Sequence, residues 1–238
     1  MKGLPIPNDT TRIYAIGDIH GRLDLLQRAI DAIRRDTEER GPDAVTVTLG
    51  DYVDRGPASR EVLDLLAGNP FPTAYVALKG NHEAVFERFL SAGEGGDHWR
   101  KFGGVETLHS YGVPVSDVMM GRNFESAAER LRGALPDAHR GFLASLKTSY
   151  TRGGYFFCHA GVRPGVALDR QSDADLLWIR EDFFASTVDF GKIVVHGHTP
   201  VEAPDVRSNR INIDTGAFIT GQLTCVVLEA NTHRFLKI

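Results

Sequence analysis

Five short segments of the sequence carry side chains that are suited to binding metal ions. Each follows an apolar run and combines glycine with aspartate, asparagine or histidine. They are Gly17-Asp18-Ile19-His20-Gly21, Gly50-Asp51-Tyr52-Val53-Asp54-Arg55-Gly56, Gly80-Asn81-His82-Glu83, His159-Ala160-Gly161 and His196-Gly197-His198-Thr199-Pro200. Carboxylate, amide and imidazole groups together suit Mn²⁺, Fe or Zn²⁺. Because glycine lacks a Cβ atom, the backbone can turn sharply and approach an ion. The pattern predicts a metal site built from several loops.

Taken one at a time, these segments carry little information. A Gly-Asp pair after a strand is usually a turn or a helix N-cap. For His196 we favour a structural role, because two histidines on one turn rarely both reach one ion pair. Four histidines outside the segments are assigned no role: His98, His109, His139 and His233. The functional interpretation rests on the presence of all five segments in one chain.

The elements before these segments predict how the segments meet. Three short apolar runs read as strands, and each is followed by a helical pattern. The strands are predicted over 13–16, 44–49 and 73–78, and the helices over 22–40, 59–67 and 82–92. Repeated strand–loop–helix units indicate a mostly parallel sheet with right-handed crossovers. In such sheets the loops at the carboxyl ends of the strands build the site.

The rest of the sequence predicts a helical insert followed by further strands. Residues 94–150 carry no motif, and a helical stretch is predicted near 125–146. Strands are then predicted over 155–158, 192–195, 210–215, 222–229 and 233–237. One α/β domain over residues 1–238, with a helical insert at about 94–150, is the simplest organisation.

Composition and charge exclude several classes of protein. The chain has 238 residues with a net charge of -4 and a pI near 6.1, which does not suit a nucleic-acid-binding surface. No apolar run reaches the ~18 residues that a membrane span needs, and the first residues lack the apolar core of a signal peptide. We therefore expect a cytoplasmic protein without nucleic-acid or membrane partners. Cys158 and Cys225 are predicted to be buried, reduced thiols.

The segments GDIHG, GDYVDRG and GNHE, in this order and roughly thirty residues apart, resemble the signature of phosphoprotein phosphatases. These enzymes belong to the calcineurin-like metallophosphoesterases. The later HAG and GHTP segments fit the remaining histidine positions, and the resemblance runs from about residue 13 to 216 apart from the insert. It implies an α/β sandwich of mixed β-sheets flanked by helices. Pro200 stands where the wider superfamily has a second histidine, which is itself the phosphoprotein phosphatase pattern.

The resemblance also implies which residues bind the metals. Asp18 and His20 would bind the first of two divalent ions, and Asp51 would bridge both. The ligands that would complete the second position are Asn81, His159 and His198. Mn²⁺ is the expected metal, with Fe and Zn²⁺ compatible with the same ligands.

Further roles follow from the same resemblance. His82 would be the general acid and Asp54 would hold its orientation. Arg55, Arg180 and Asn81 would bind the phosphate of the substrate. A hydroxide bridging the metal ions would attack phosphorus directly, without a covalent enzyme intermediate.

The leading hypothesis for function is a serine/threonine protein phosphatase of the compact prokaryotic branch, which the late IDTGAF sequence at 213–218 resembles. Phosphoproteins or phosphopeptides would be its substrates. The first alternative is a symmetrical diadenosine tetraphosphate hydrolase. The corresponding segment of that family resembles VNRG, whereas this chain has VDRG at 53–56. Asp54 therefore favours the phosphatase. The second alternative is a non-catalytic binding module. Such a module would have lost a metal ligand or the general acid, whereas every expected site position is filled in this sequence.

Overall fold

The computed structural model describes residues 11–230 and 232–238. Over these residues the chain forms ten strands and eleven α-helices. The strands are β1 (Arg12–Ile16), β2 (Ala44–Thr48), β3 (Ala74–Ala77), β4 (Ser149–Arg152), β5 (Tyr155–Cys158), β6 (Ile193–His196), β7 (Asp205–Val206), β8 (Arg210–Asn212), β9 (Cys225–Glu229) and β10 (Thr232–Phe235). The helices are α1 (Leu23–Arg40), α2 (Ser59–Ala67), α3 (Asn81–Ala92), α4 (Gly96–Trp99), α5 (Gly104–Ser110), α6 (Ser116–Met119), α7 (Phe124–Ala134), α8 (Asp137–Ser145), α9 (Asp173–Trp178), α10 (Glu181–Phe184) and α11 (Ala217–Thr220). Short 3₁₀ helices lie at Arg100–Phe102 and Leu168–Arg170.

The first sheet has the strand order β10-β9-β1-β2-β3. Strands β1, β2 and β3 are parallel, as the repeated strand–loop–helix pattern predicts. Strands β9 and β10 are antiparallel additions on one side of β1. The loops after β1, β2 and β3 therefore lie at one edge of this sheet.

The second sheet has the order β4-β5-β6-β8-β7. Its central strands are again parallel, because β5 pairs in parallel with β6 and β6 pairs in parallel with β8. Strands β4 and β7 pair antiparallel at the two sides. Both sheets are thus mixed, and the predicted α/β fold of mixed sheets flanked by helices is confirmed.

The two sheets bury apolar side chains against each other. Ile13 and Ala15 of β1 lie in a core that also contains Phe157 of β5 and Val195 of β6. Tyr14 and Ile16 point to the other face, into a second core formed with the helices. Because side chains alternate along a strand, the unbroken apolar run at 13–16 lets β1 be buried on both faces.

Most of the predicted insert is helical. Helices occupy most of 96–145, and residues 149–150, which were assigned to the insert, belong instead to β4. Helices α5 and α8 pack on α2, and α7 packs on α3, so the helical segment lies against the elements that follow β2 and β3. The packing joins Phe86 and Phe89 of α3 to Trp99 of α4 in one buried cluster. The insert therefore lies directly behind two of the strand-end loops.

Other predictions are refined by the structure. The strand predicted over 210–215 ends at Asn212, because the chain turns there: the Asp214 N–H donates to the Asn212 side chain at 3.0 Å. Cys158 and Cys225 are free and buried, as predicted. Among the helices of the described residues, none is both long and apolar enough to cross a membrane.

Candidate metal centre

The strand-end loops of both sheets bring their polar side chains to one place. Asp18 follows β1, Asp51 follows β2, and Asn81 begins α3 just after β3. From the second sheet, His159 follows β5 and His198 follows β6. All five side chains are buried and line or adjoin one cleft. The convergence that the strand-end positions predict is present in the structure.

Asp51 stands between two groups of possible metal ligands. Its Oδ2 lies 3.4 Å from Nε2 of His20 and 3.9 Å from Nε2 of His82. Its Oδ1 lies 3.4 Å from Nε2 of His159, and His198 belongs to that same group. Within each group the possible ligand atoms lie within 4.8 Å of one another. This is the arrangement that a carboxylate bridging two ions requires.

Asn81 joins the histidines of the second group. Its Oδ1 lies 2.8 Å from Nε2 of His159 and 2.8 Å from Nδ1 of His198. Nitrogen and oxygen atoms from three separate loops thus face a common point. Borderline nitrogen and hard oxygen donors in such a set suit a divalent transition metal.

Two histidines are oriented by backbone carbonyl groups. Nδ1 of His20 lies 2.9 Å from the Val53 carbonyl oxygen, and Nδ1 of His159 lies 2.9 Å from that of Leu49. Donation from Nδ1 leaves Nε2 as the lone-pair nitrogen that faces the cleft. Burial also lowers the pKa of His20 to about 3 and lowers the pKa of His159, which favours the neutral form that binds metals.

One buried atom of the cleft fits a cation. Among the described residues, Oδ1 of Asp18 has no hydrogen-bond partner. Leaving such a carboxylate oxygen unpaired is costly, and a divalent ion would satisfy it. Burial, reinforced by Asp214 and Asp51, raises the pKa of Asp18 well above its ordinary value. A bound cation would reverse that direction. The donor set therefore fits divalent metals.

The loops hold unusual backbone conformations. His20, Asp51 and His198 adopt positive φ angles of 46°, 53° and 68°, and Asp54 and Arg55 adopt 71° and 69°. Such conformations cost free energy for residues other than glycine and cluster at functional sites. Nothing in the sequence motifs alone indicates which residues carry this strain.

Glu83 supports the bridging loop, a role that the sequence motif did not reveal. Its carboxylate accepts hydrogen bonds from the N–H groups of Asp51 at 2.8 Å, Tyr52 at 2.7 Å and Gly80 at 2.9 Å. Burial, together with the nearby Asp51, raises the pKa of Glu83 to about 7. The position of Glu83 three residues after the cap of α3, as in a capping box, was the available signal.

His82 is paired with a buried carboxylate. Nδ1 of His82 lies 2.7 Å from Oδ2 of Asp54, and the side chain of Asp54 is completely buried. Although burial opposes it, Asp51 and Asp54 raise the pKa of His82 to about 9. Nε2 of His82 remains directed toward the cleft, where Nη2 of Arg55 lies 3.4 Å away. This geometry suits an oriented proton donor.

The two predicted phosphate-binding arginines also reach the cleft. The Arg55 guanidinium lies 4.5 Å from the centre of the Phe218 ring, which holds it over the site. Arg180 donates to the Thr199 hydroxyl at 3.2 Å and to the His198 carbonyl at 3.4 Å. Both side chains line the cavity, which has a volume of about 250 Å³.

Several lining residues were not predicted from the sequence. Asp214 reaches the cleft from the loop after β8, and its strand-end position was the available signal. Aromatic side chains also line the cleft, of which Trp99 is buried and Phe102 and Trp178 are exposed: His98, Trp99, Phe102, Trp178 and Phe218. His98, which was assigned no role, stacks on Phe102 with ring centres 4.3 Å apart. Only the folded insert brings this pair to the cleft.

Two further histidines, His196 and His139, take structural positions. The ring of His196 is buried against Phe183 and Phe184, outside the residues that line the cleft. His139 is buried between the Tyr111 hydroxyl and Asp64, at 2.7 and 2.8 Å. His198, rather than His196, is therefore the histidine of its loop that faces the centre.

Known proteins share this fold and these loops. Residues 11–220 match the family described as calcineurin-like phosphoesterase. The chain belongs to that family, and it is a hydrolase of the metallophosphoesterase class.

Relatives within the family carry two different names. The chain is 33% identical over 225 residues to the asymmetrical bis(5'-nucleosyl)-tetraphosphatase PrpE of Bacillus subtilis (strain 168), covering 88% of this chain and 87% of that protein. It is 28% identical over 223 residues to serine/threonine-protein phosphatase 2 of Salmonella typhimurium (strain LT2), covering 89% and 90%. A solved structure described as a putative diadenosine tetraphosphatase superposes with a TM-score of 0.66 at 21% identity, covering 97% of this chain and 95% of that one.

Proposed function

We propose that this protein removes phosphate from phosphoserine and phosphothreonine in proteins, using two divalent metal ions. The ions would be held by Asp18, His20, Asp51, Asn81, His159 and His198. Mn²⁺ is the proposed metal, and the same ligands accept Fe or Zn²⁺. When bound, the ions would supply Lewis acidity toward phosphate and a nucleophile at neutral pH.

The observation that carries the proposal is the His82–Asp54 pair. A serine or threonine alkoxide is a poor leaving group and needs a proton as the bond to phosphorus breaks. Nδ1 of His82 is held at 2.7 Å by Asp54, so Nε2 can carry that proton into the cleft. General acid catalysis of this kind contributes about 10²–10⁴-fold. A phosphoanhydride has a much better leaving group and gains less from such a donor.

The remaining polar groups would bind the phosphate. Arg55 and Arg180 enter the cleft from opposite parts of the chain and present planar guanidinium groups to phosphate oxygens. Asn81 offers its amide to the same region. Because these donors are held in place before substrate binds, they would stabilise the charge that develops on phosphate.

A second candidate function is hydrolysis of a dinucleoside tetraphosphate. The stacked His98–Phe102 pair and Trp178, which is 44% exposed, line the outer cleft where a nucleobase would stack. The similarity to the Bacillus subtilis PrpE protein supports the same candidate. Asp54 in the VDRG sequence separates this chain from the symmetrical hydrolases only. It carries no weight against the asymmetrical cleavage that the PrpE name describes.

A comparison of two substrates tests the proposal. Purified protein with Mn²⁺ is given a phosphoserine peptide, followed by phosphate release, and separately diadenosine tetraphosphate, followed by chromatography of the nucleotides. Faster turnover of the peptide supports the proposal. Faster turnover of the dinucleotide rejects it in favour of the second candidate, and the nucleotide products distinguish asymmetrical from symmetrical cleavage.

A matched pair of variants makes the comparison sharper. His82→Asn should slow peptide hydrolysis strongly. His233→Asn, at an exposed histidine of the edge strand β10 that does not line the cleft, should leave both activities unchanged. Equal peptide turnover in the two variants would contradict the role of His82.

A further inference from the structure

The helical insert reaches behind the cleft and holds Asp54. Trp99 of α4 donates its Nε1–H to Oδ2 of Asp54 at 2.8 Å. Thr107 of α5 donates its hydroxyl to Oδ1 of the same carboxylate at 2.6 Å, and its oxygen accepts the Asp54 N–H at 2.9 Å. Both oxygens of this completely buried carboxylate are therefore fixed by side chains from the insert.

One oxygen of Asp54 is shared by two donors. Oδ2 lies 2.7 Å from Nδ1 of His82 and 2.8 Å from Nε1 of Trp99. A carboxylate oxygen accepts more than one hydrogen bond, so the two contacts are compatible. Together with Thr107 on the other oxygen, Trp99 sets the plane of the carboxylate. That plane in turn sets the direction of the His82 ring.

Trp99 is itself held firmly. It is 1% exposed, and its ring lies 4.3 Å from that of Phe89 and 5.9 Å from that of Phe86. A Cβ atom added at Gly104 would lie 2.3 Å from the indole, so glycine is needed for this close approach. Phe86 and Phe89 belong to α3, the helix that carries His82. The indole and the histidine are thus fixed relative to each other by the same helix.

We propose that Trp99 is a positioning residue for the His82–Asp54 pair, so that the helical insert completes the proton-donating group of the site. The inference rests on the proposed role of His82 as a general acid. It assigns to the insert a part in the reaction, in addition to lining the outer cleft through His98 and Phe102.

The variant Trp99→Phe removes the N–H donor and keeps an aromatic ring. We expect kcat to fall about tenfold or more for phenyl phosphate, whose leaving group is basic and needs the proton. For 4-nitrophenyl phosphate, whose leaving group is stable without a proton, kcat should stay within about twofold. KM should change little for either ester, because Trp99 donates to Asp54 and not to phosphate.

Tyr111→Phe is the matched control. It also removes one buried hydrogen bond within the insert, from the Tyr111 hydroxyl to Nδ1 of His139 at 2.7 Å, but it does not touch Asp54. A general loosening of the insert would affect both variants and both esters alike. Selective loss with phenyl phosphate in Trp99→Phe alone supports the proposal, and equal losses in the two variants contradict it.

A measurement without turnover tests the same contact. The chain has two tryptophans, so Trp99→Phe assigns the two indole N–H resonances in a ¹⁵N spectrum. We expect the Trp99 N–H to be protected from hydrogen exchange and to shift strongly in Asp54→Asn, in which the charged acceptor becomes neutral. An exchanging, unshifted resonance would reject the proposal. Where Trp99→Phe does not fold, Trp178→Phe gives the same assignment, because it leaves Trp99 as the single indole of the chain.

The kinetics of the two variants separate a failure of the general acid role of His82 from a failure of the positioning role of Trp99. If His82→Asn slows both esters equally, the general acid role fails and the inference about Trp99 falls with it. If His82→Asn slows phenyl phosphate selectively while Trp99→Phe does not, only the positioning role of Trp99 is rejected.

Discussion

Oδ1 of Asp51 lies 3.4 Å from Nε2 of His159, so a carboxylate that follows a strand of the first sheet meets a histidine that follows a strand of the second. The other oxygen, Oδ2, lies 3.4 Å from His20. The cleft therefore lies where the two sheets meet, and Asp51 is the residue that connects its two groups of ligands. This relationship gives the first prediction.

Asp51→Asn should reduce the metal content at both positions. The amide keeps the shape of the side chain but loses the charge that two cations share. Metal content measured by mass spectrometry of the purified protein should fall below one ion per chain. Asp31→Asn, at a surface carboxylate paired with Arg34, should retain the wild-type content. Two ions per chain in Asp51→Asn would contradict the bridging role.

Gly197→Ala should damage the site through a steric contact. A Cβ atom at this position would lie 2.0 Å from Oδ1 of Asp18 and displace that carboxylate. Overpacking of this kind typically lowers the free energy of unfolding by about 1–3 kcal/mol, and metal affinity should fall with it.

The matched control for this variant is Gly133→Ala. Gly133 lies exposed in α7, and an added Cβ would meet nothing within 4 Å. We expect this variant to be stabilised by about 0.4–1 kcal/mol, because alanine restricts the unfolded chain. Denaturant unfolding of the two variants would contradict the account if Gly197→Ala were as stable as Gly133→Ala.

Asp36, which lies away from the cleft, should make the free energy of unfolding depend on pH in the acid range. Although burial opposes it, hydrogen bonds from Arg234 and from the Tyr14 hydroxyl lower the pKa of Asp36. The stabilisation is present above the pKa of the unfolded chain, near 3.9, and is lost as the pH falls through the lower folded value.

Unfolding by urea between about pH 2 and pH 6 tests this dependence. Asp36→Asn should reduce the loss of stability on the acid side, whereas Asp137→Asn, at a fully exposed carboxylate of α8, should follow the wild-type curve. If the stability of Asp36→Asn falls with acid pH as much as that of the wild type, the ion pair with Arg234 does not cause the acid dependence.

The sequence was sufficient to predict the part of the candidate site that is built from the ends of strands. The loops that carry Asp18, Asp51 and Asn81 directly follow apolar runs, so their convergence follows from a parallel sheet. His159 and His198 follow strands of the second sheet, and the family resemblance, rather than periodicity, linked them to the first group. The ligand assignments and the phosphate-binding roles remain predictions.

The contacts behind and around the cleft were beyond sequence reasoning. Trp99 and Thr107 reach Asp54 across 45 and 53 residues, through an insert that carries no motif. Glu83 was visible in the GNHE segment, but its hydrogen bonds to the Asp51 loop depend on how β2 lies beside β3. Such long-range contacts are set by helix packing, which local patterns do not specify.

The most direct test of the central claim measures turnover and metal content of His82→Asn in the same sample. His82 lies close enough to His20 and Asp51 to be considered a metal ligand on distance alone. The proposed general acid role predicts that hydrolysis of a phosphoserine peptide falls by about 10²-fold or more while two ions per chain are retained. Near wild-type turnover, or the loss of an ion, would contradict that role.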